Sequence, residues 1–197
     1  MLLPDQALAE RAETILEAIT FFLIPVVLIA TDTVPFHQRY VLLIAVTTVC
    51  VAVYLTRPAT PTLSLTRRSL TWLIPATATV MFIATTTAFN VSYDGRLAAY
   101  ALLVSATQEF LFREYLQKRL TQAFNAPTSI ACTSLVFAVI HIIYADPLTA
   151  FTTTLLFSLI VGTAYHYSDN LVLASLIHAE ANYLAINTCL IAIPGTC

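Results

Sequence analysis

Seven apolar runs, each near the 17–25 residues that a helix needs to cross a bilayer, fill most of this chain and narrow its possible folds sharply. They span approximately Ile15 to Ala30, Tyr40 to Tyr54, Leu70 to Phe89, Leu97 to Leu116, Thr128 to Tyr144, Leu148 to Tyr167 and Leu171 to Ile193. The breaks carry local turn chemistry. Arg57-Pro-Ala-Thr-Pro61 closes the second run, Asp94-Gly95 turns into the fourth, and Asn125-Ala-Pro127 precedes the fifth. Asp146-Pro147 offers the sixth run a cap and a first-turn proline, Asp169-Asn170 caps the seventh, and Pro194-Gly195 stops it. The expected fold is all-α: a polytopic membrane protein of about seven transmembrane helices. It is read as one membrane domain, with three spans within residues 1–90 and four within 97–193.

Composition supports the bilayer as solvent. The chain is 58% hydrophobic and 10% charged, with a mean hydropathy of +0.81, where a soluble domain carries about a quarter charged residues. A net charge of −2 gives no ground for a nucleic-acid partner. Cys50, Cys132, Cys189 and Cys197 are scattered without metal or redox spacing and read as small apolar residues. The acidic stretch around Asp5, Glu10, Glu13 and Glu17 is unlike a signal-peptide leader. Arg11, Arg57, Arg67, Arg68, Lys118 and Arg119 fall on one side of the expected topology, against Arg39 and Arg96 on the other. This predicts a cytoplasmic N-terminus and an external C-terminus.

Polar residues inside these runs are costly and therefore informative. Gln108-Glu109-Phe-Leu-Phe-Arg113 places an amide, a carboxylate and a guanidinium in the fourth run. Glu109 and Arg113, four residues apart, share a helix face and can pair, while Gln108 lies about 100° round. His141 follows Phe137 by one turn, and Asn182 follows His178 by one turn. At ~1.5 Å per residue from the expected cytoplasmic ends, Glu109 lies ~12 Å deep, His141 ~20 Å and His178 ~11 Å. A carboxylate beside a histidine can take a proton from water, and a second histidine with an amide can hold a tetrahedral oxyanion. Hydrolysis without a metal cofactor is favoured over a zinc site built from Glu109, His141 and His178, because no H-E-x-x-H is present. Taken singly, each residue has a plainer reading: a buried ion pair, interior histidines, an interhelical amide. Glu180, about 200° round from His178, faces away from the others.

Glu-Glu-x-x-x-Arg, Phe-x-x-x-His and His-x-x-x-Asn on successive membrane helices form the motif set of the CPBP intramembrane proteases, the group that includes the CAAX prenyl endopeptidases. This chain resembles that family at Glu109, Arg113, Phe137, His141, His178 and Asn182. The resemblance implies an endopeptidase acting on a membrane-anchored protein or peptide near its C-terminal end. It implies that His141 assists the attacking water, His178 and Asn182 hold the oxyanion, and Arg113 with Glu109 braces the site. The family's general base is the first glutamate of its pair, and here that position is Gln108. A carboxamide has the shape of a carboxylate but cannot accept the proton. An isosteric change at that one position fits a substitution introduced to silence the enzyme best, ahead of a naturally inactive homologue or of Glu109 acting as base. The compact length is similar to prokaryotic members, which favours precursor or sorting-signal cleavage in a prokaryotic cell membrane over prenyl-protein processing. A pseudoprotease scaffold and a small transporter or proton relay remain as alternatives. Only three glycines and no inverted repeat stand against the last.

Overall fold

In the computed structural model, residues 94–142 and 146–188 are described, together with 12, 13 and 16. The first three expected spans lie almost wholly outside the described residues. Those that are described contain helices and no strand. Helix α1 covers Gly95–Glu109 and passes directly into a π-helical segment, Phe110–Gln117, and then into α2, Lys118–Ala123. Helix α3 is Ala126–His141, α4 is Pro147–Ser168 and α5 is Leu171–Asn187. Of these, α4, with 22 residues, is long and apolar enough to cross a membrane, and α3 is a shorter apolar helix.

The helix starts follow the sequence closely. Helices α1, α3, α4 and α5 are each capped by an Asx side chain that accepts from otherwise unpaired first-turn amides. Asp94 accepts from Arg96 and Leu97, Asn125 from Thr128, Asp146 from Thr149 and Asn170 from Leu173. Proline occupies the first turn of α3 and of α4, where its missing N–H costs nothing. The α4–α5 junction is a single tight corner. Asp169 adopts the left-handed conformation (φ 47°), its N–H donates to the Tyr165 carbonyl, and Asn170 then caps α5. Thr152, Thr153 and Thr154 return their hydroxyls to carbonyls one turn back, so three polar side chains are satisfied without leaving α4.

The ends differ from expectation. The fourth run, expected at Leu97 to Leu116, is only the middle of a helical rod running from Gly95 to Ala123. Helix α5 ends at Asn187, where the Thr188 N–H closes on the Leu184 carbonyl, and the remainder of the seventh run, to Ile193, lies outside the described residues. Within the rod, the Lys118 N–H reaches the Arg113 carbonyl five residues back, the widened turn of a π helix. No glycine or proline marks this change in the sequence. Its setting accounts for its importance: every residue from Leu111 to Gln117 is buried, so the segment is enclosed on all sides. Leu111, Phe112, Tyr115 and Leu116 join Leu120 and Phe137 in one apolar cluster around it.

Helix α1 lies along α5 and α3 along α4, with the π segment touching α3, α4 and α5. The Tyr183 hydroxyl near the end of α5 accepts from the Asp94 N–H at the start of α1. At the other end Lys118 bridges Glu114 (2.7 Å) and Asp169 (3.2 Å), while the Tyr165 hydroxyl donates to the second Glu114 oxygen. Thus the rod and α4 finish at the same end of the bundle, where α5 begins. That antiparallel return is what lets α5 carry His178 back past Glu109. Replacing the cap, Asn170→Ala, leaves the Leu173 amide unpaired at a buried corner. It is expected to lower stability by about 1 kcal/mol, read as a reduced melting temperature of the full chain in detergent.

Candidate active site

Arg113 is the most constrained side chain in the structure. It is fully buried, and a buried guanidinium is tolerable only when its donors are met. Its Nε donates to Glu109 Oε2 (2.9 Å), Nη2 to Ser158 Oγ (2.8 Å) and Nη1 to Gln117 Oε1 (3.3 Å). Gln117 in turn donates through Nε2 to the Gly162 carbonyl (2.9 Å), which ties the rod to α4. Gly162 has a steric reason to be glycine. A Cβ there would stand 2.9 Å from Arg113 Nη1 and 3.0 Å from Gln117 Oε1.

The second oxygen of Glu109 faces α5. Oε1 accepts from His178 Nδ1 at 2.7 Å, with both groups buried. One turn on, Asn182 Nδ2 donates to Ser105 Oγ at 3.0 Å, so the His178 and Asn182 face of α5 is turned onto the Ser105 and Glu109 face of α1. His141 ends α3 and uses Nδ1 to bond the Phe137 carbonyl one turn back (2.6 Å). The Phe137 ring lies between the two histidines, 4.3 Å from His141 and 5.5 Å from His178 by ring centroids. Phe112 packs on its edge at 5.1 Å, and Phe157 of α4 lies 5.2 Å from His178. The carboxylate and imidazole are therefore walled by aromatic rings, where electrostatic interactions are stronger than in water.

Glu109, Arg113 and His178 are brought into direct contact, and His141 joins them through Phe137 rather than by a hydrogen bond to either charged group. Both histidines touch the one Phe137 ring, although the depth arithmetic separates them by about 9 Å at ~1.5 Å per residue. Asn182 belongs to the same α1–α5 seam. Gln108 is not joined to the cluster: its Oε1 is buried with no hydrogen-bond partner among the described residues. Phe137, which reads in the sequence as packing alone, is the hinge of the site. Among the described residues no group of three His, Cys, Asp or Glu side chains is placed to hold a metal ion. Of the zinc set considered from sequence, Glu109 has each oxygen bonded to a protein partner. His166 is exposed and lies against Tyr167.

Several participants are absent from the sequence reading. Ser105 and Gln117 extend the Glu109 and Arg113 spacing by one further turn each way, so that 105, 109, 113 and 117 form a polar ladder at i, i+4. Ser158 and Gly162 repeat that spacing on α4. The signal was present as periodicity. Glu114, only 1% exposed, is a further participant. Its partners Lys118 and Tyr165 make it a brace at the bundle end.

The sequence pattern of a family described as type II CAAX prenyl endopeptidase Rce1-like matches residues 72–184. That interval contains Glu109, Arg113, His141, His178 and Asn182. No curated protein and no solved structure matches the chain.

Gly162→Ala is expected to push the Arg113 and Gln117 head groups apart, costing about 1–3 kcal/mol as overpacking does. A melting curve in detergent should show the loss, and an unchanged curve would contradict the close approach on which it rests.

Proposed function

The chain belongs to the Rce1-like type II CAAX prenyl endopeptidase family, and on that premise we propose that it hydrolyses a peptide bond near the C-terminal end of a membrane-anchored protein. The family is membrane-integral, and α4 fits that setting. The observation that carries the reading is the Glu109 carboxylate held between Arg113 and His178, with Phe137 bringing His141 alongside. A buried charge cluster of this kind, presented by separate helices, suits activation of water in a dry cleft.

By the family's division of labour, the first residue of the Glu-Glu pair and His141 draw a proton from water as its oxygen attacks the carbonyl. In that scheme His178 and Asn182 would steady the oxyanion, and Arg113 with Glu109 would fix the helices. The catalytic unit is the four-span core, with the N-terminus on the cytoplasmic side and the C-terminus outside. Gln108 cannot accept the proton that route requires, so cleavage by this chain is slow relative to one bearing glutamate at position 108. A second reading has Gln108 in its favour: a pseudoprotease that grips its target without cutting it.

Two probes separate these readings: a quenched fluorogenic peptide ending in a farnesylated C-a-a-X sequence, and a single-span protein carrying a C-terminal extension. Both are offered to the chain in proteoliposomes. Gln108→Glu should raise kcat by about 10²-fold, the low end of what a positioned general base supplies. Equal rates in the two forms would contradict position 108 as the base position. Binding without cleavage of either probe by either form would favour the pseudoprotease.

A further inference from the structure

A histidine that steadies an oxyanion must present an N–H to it. His178 has its Nδ1–H directed at Glu109 Oε1, 2.7 Å away, because a carboxylate can only accept. Its other nitrogen, Nε2, has no hydrogen-bond partner among the described residues. For Nε2 also to carry a proton, the ring must be cationic. The cluster would then hold two buried cations, Arg113 and His178, against the single Glu109 carboxylate. The neutral ring balances it: one guanidinium, one carboxylate, one uncharged imidazole with a bare Nε2. Among the described residues, the other groups that face His178 do not alter this count. Helix α3 contributes His141, with Nδ1 on the Phe137 carbonyl, and α4 contributes the Phe157 ring, with Ser158 on Arg113. The resting state of His178 is thus a proton acceptor, not a donor.

Resting on the hydrolase reading above, we infer that the general base of this chain is Nε2 of His178, held in the Nδ1–H tautomer by the Glu109 carboxylate, in place of the carboxylate that Gln108 lacks. Water gives its proton to Nε2 as its oxygen bonds to the substrate carbonyl carbon. The imidazolium so formed lies against Glu109. When the C–N bond breaks, the Nε2 proton passes to the leaving nitrogen, and the ring returns to its starting form. Asn182, whose Nδ2 gives one N–H to Ser105, then has its second N–H available to an oxyanion. Glu109 touches neither water nor substrate in this scheme: it is a positioning residue acting through His178.

Replacing Glu109 by glutamine tests this by forcing a choice. The amide oxygen can serve Arg113 or His178, and keeping it on Arg113 turns an N–H toward His178 Nδ1, which drives the ring proton to Nε2. In the chain as it stands, Glu109→Gln should lower kcat by about 10²–10⁴-fold, as a wrong tautomer does. In a Gln108→Glu background, which has its own base, the same change should cost less than about tenfold. An equal factor in both backgrounds would reduce Glu109 to a structural brace and overturn the inference while leaving the hydrolase reading intact. Cleavage only when glutamate occupies 108 would do the same. No cleavage by any form would instead remove the hydrolase reading itself. Because Glu109→Gln can unfold the chain by stranding Arg113, the unaltered full-length protein supplies a second measurement. Histidine-labelled ¹⁵N spectra in micelles, with His178 assigned by His178→Asn, should show a protonated Nδ1 and a bare Nε2. A protonated Nε2 would overturn the inference.

Discussion

Everything described in this bundle is arranged around one guanidinium taken out of water. Arg113 stands at the centre of a fully enclosed π-helical segment, and each of its donor groups has a partner from a different direction: Glu109 above, Gln117 below, Ser158 across on α4. Removing one partner of such a buried pair costs about 3–5 kcal/mol, because the other charge is left without compensation. That penalty fixes the rotation of the rod and the approach of α4, for which Gly162 leaves the room. It also fixes Glu109, whose second oxygen is then aimed at α5. The site's geometry is a by-product of satisfying Arg113.

The same constraint explains why the histidines are reached through carbon as well as through hydrogen bonds. Phe137 touches Phe112, His141 and His178, so the apolar cluster of the core and the polar cluster of the site share one ring. Packing and chemistry are consequently coupled: a change that shifts Phe137 alters the separation of the histidines. The far end of the rod is braced independently, by Glu114, Lys118, Tyr165 and Asp169.

Much of this was legible in the sequence where the physics is local. The caps at Asp146 and Asn170 start their helices as expected, the turn residues Asp94 and Asn125 prove to be caps as well, and the i, i+4 pair of Glu109 and Arg113 forms. The family relationship was legible too, from three spaced motifs in order. What could not be read is set between helices. Nothing in the order of residues shows that Glu109 would bond His178 rather than stand free, or that Phe137 would come between two imidazoles. The π register at Phe110–Gln117 has no local marker, since it arises where the rod is enclosed by its neighbours. Of the seven expected spans, the first three lie almost wholly outside the described residues.

In the proposed hydrolysis, water itself attacks the scissile carbonyl, with no covalent enzyme intermediate. Cleavage of a membrane-embedded probe in ¹⁸O-enriched water, followed by mass spectrometry of both product and protein, tests this most directly. A single turnover should place one ¹⁸O in the new carboxylate, with the protein's mass unchanged in quenched samples. An acyl adduct on the protein, or a product without the label, would contradict it.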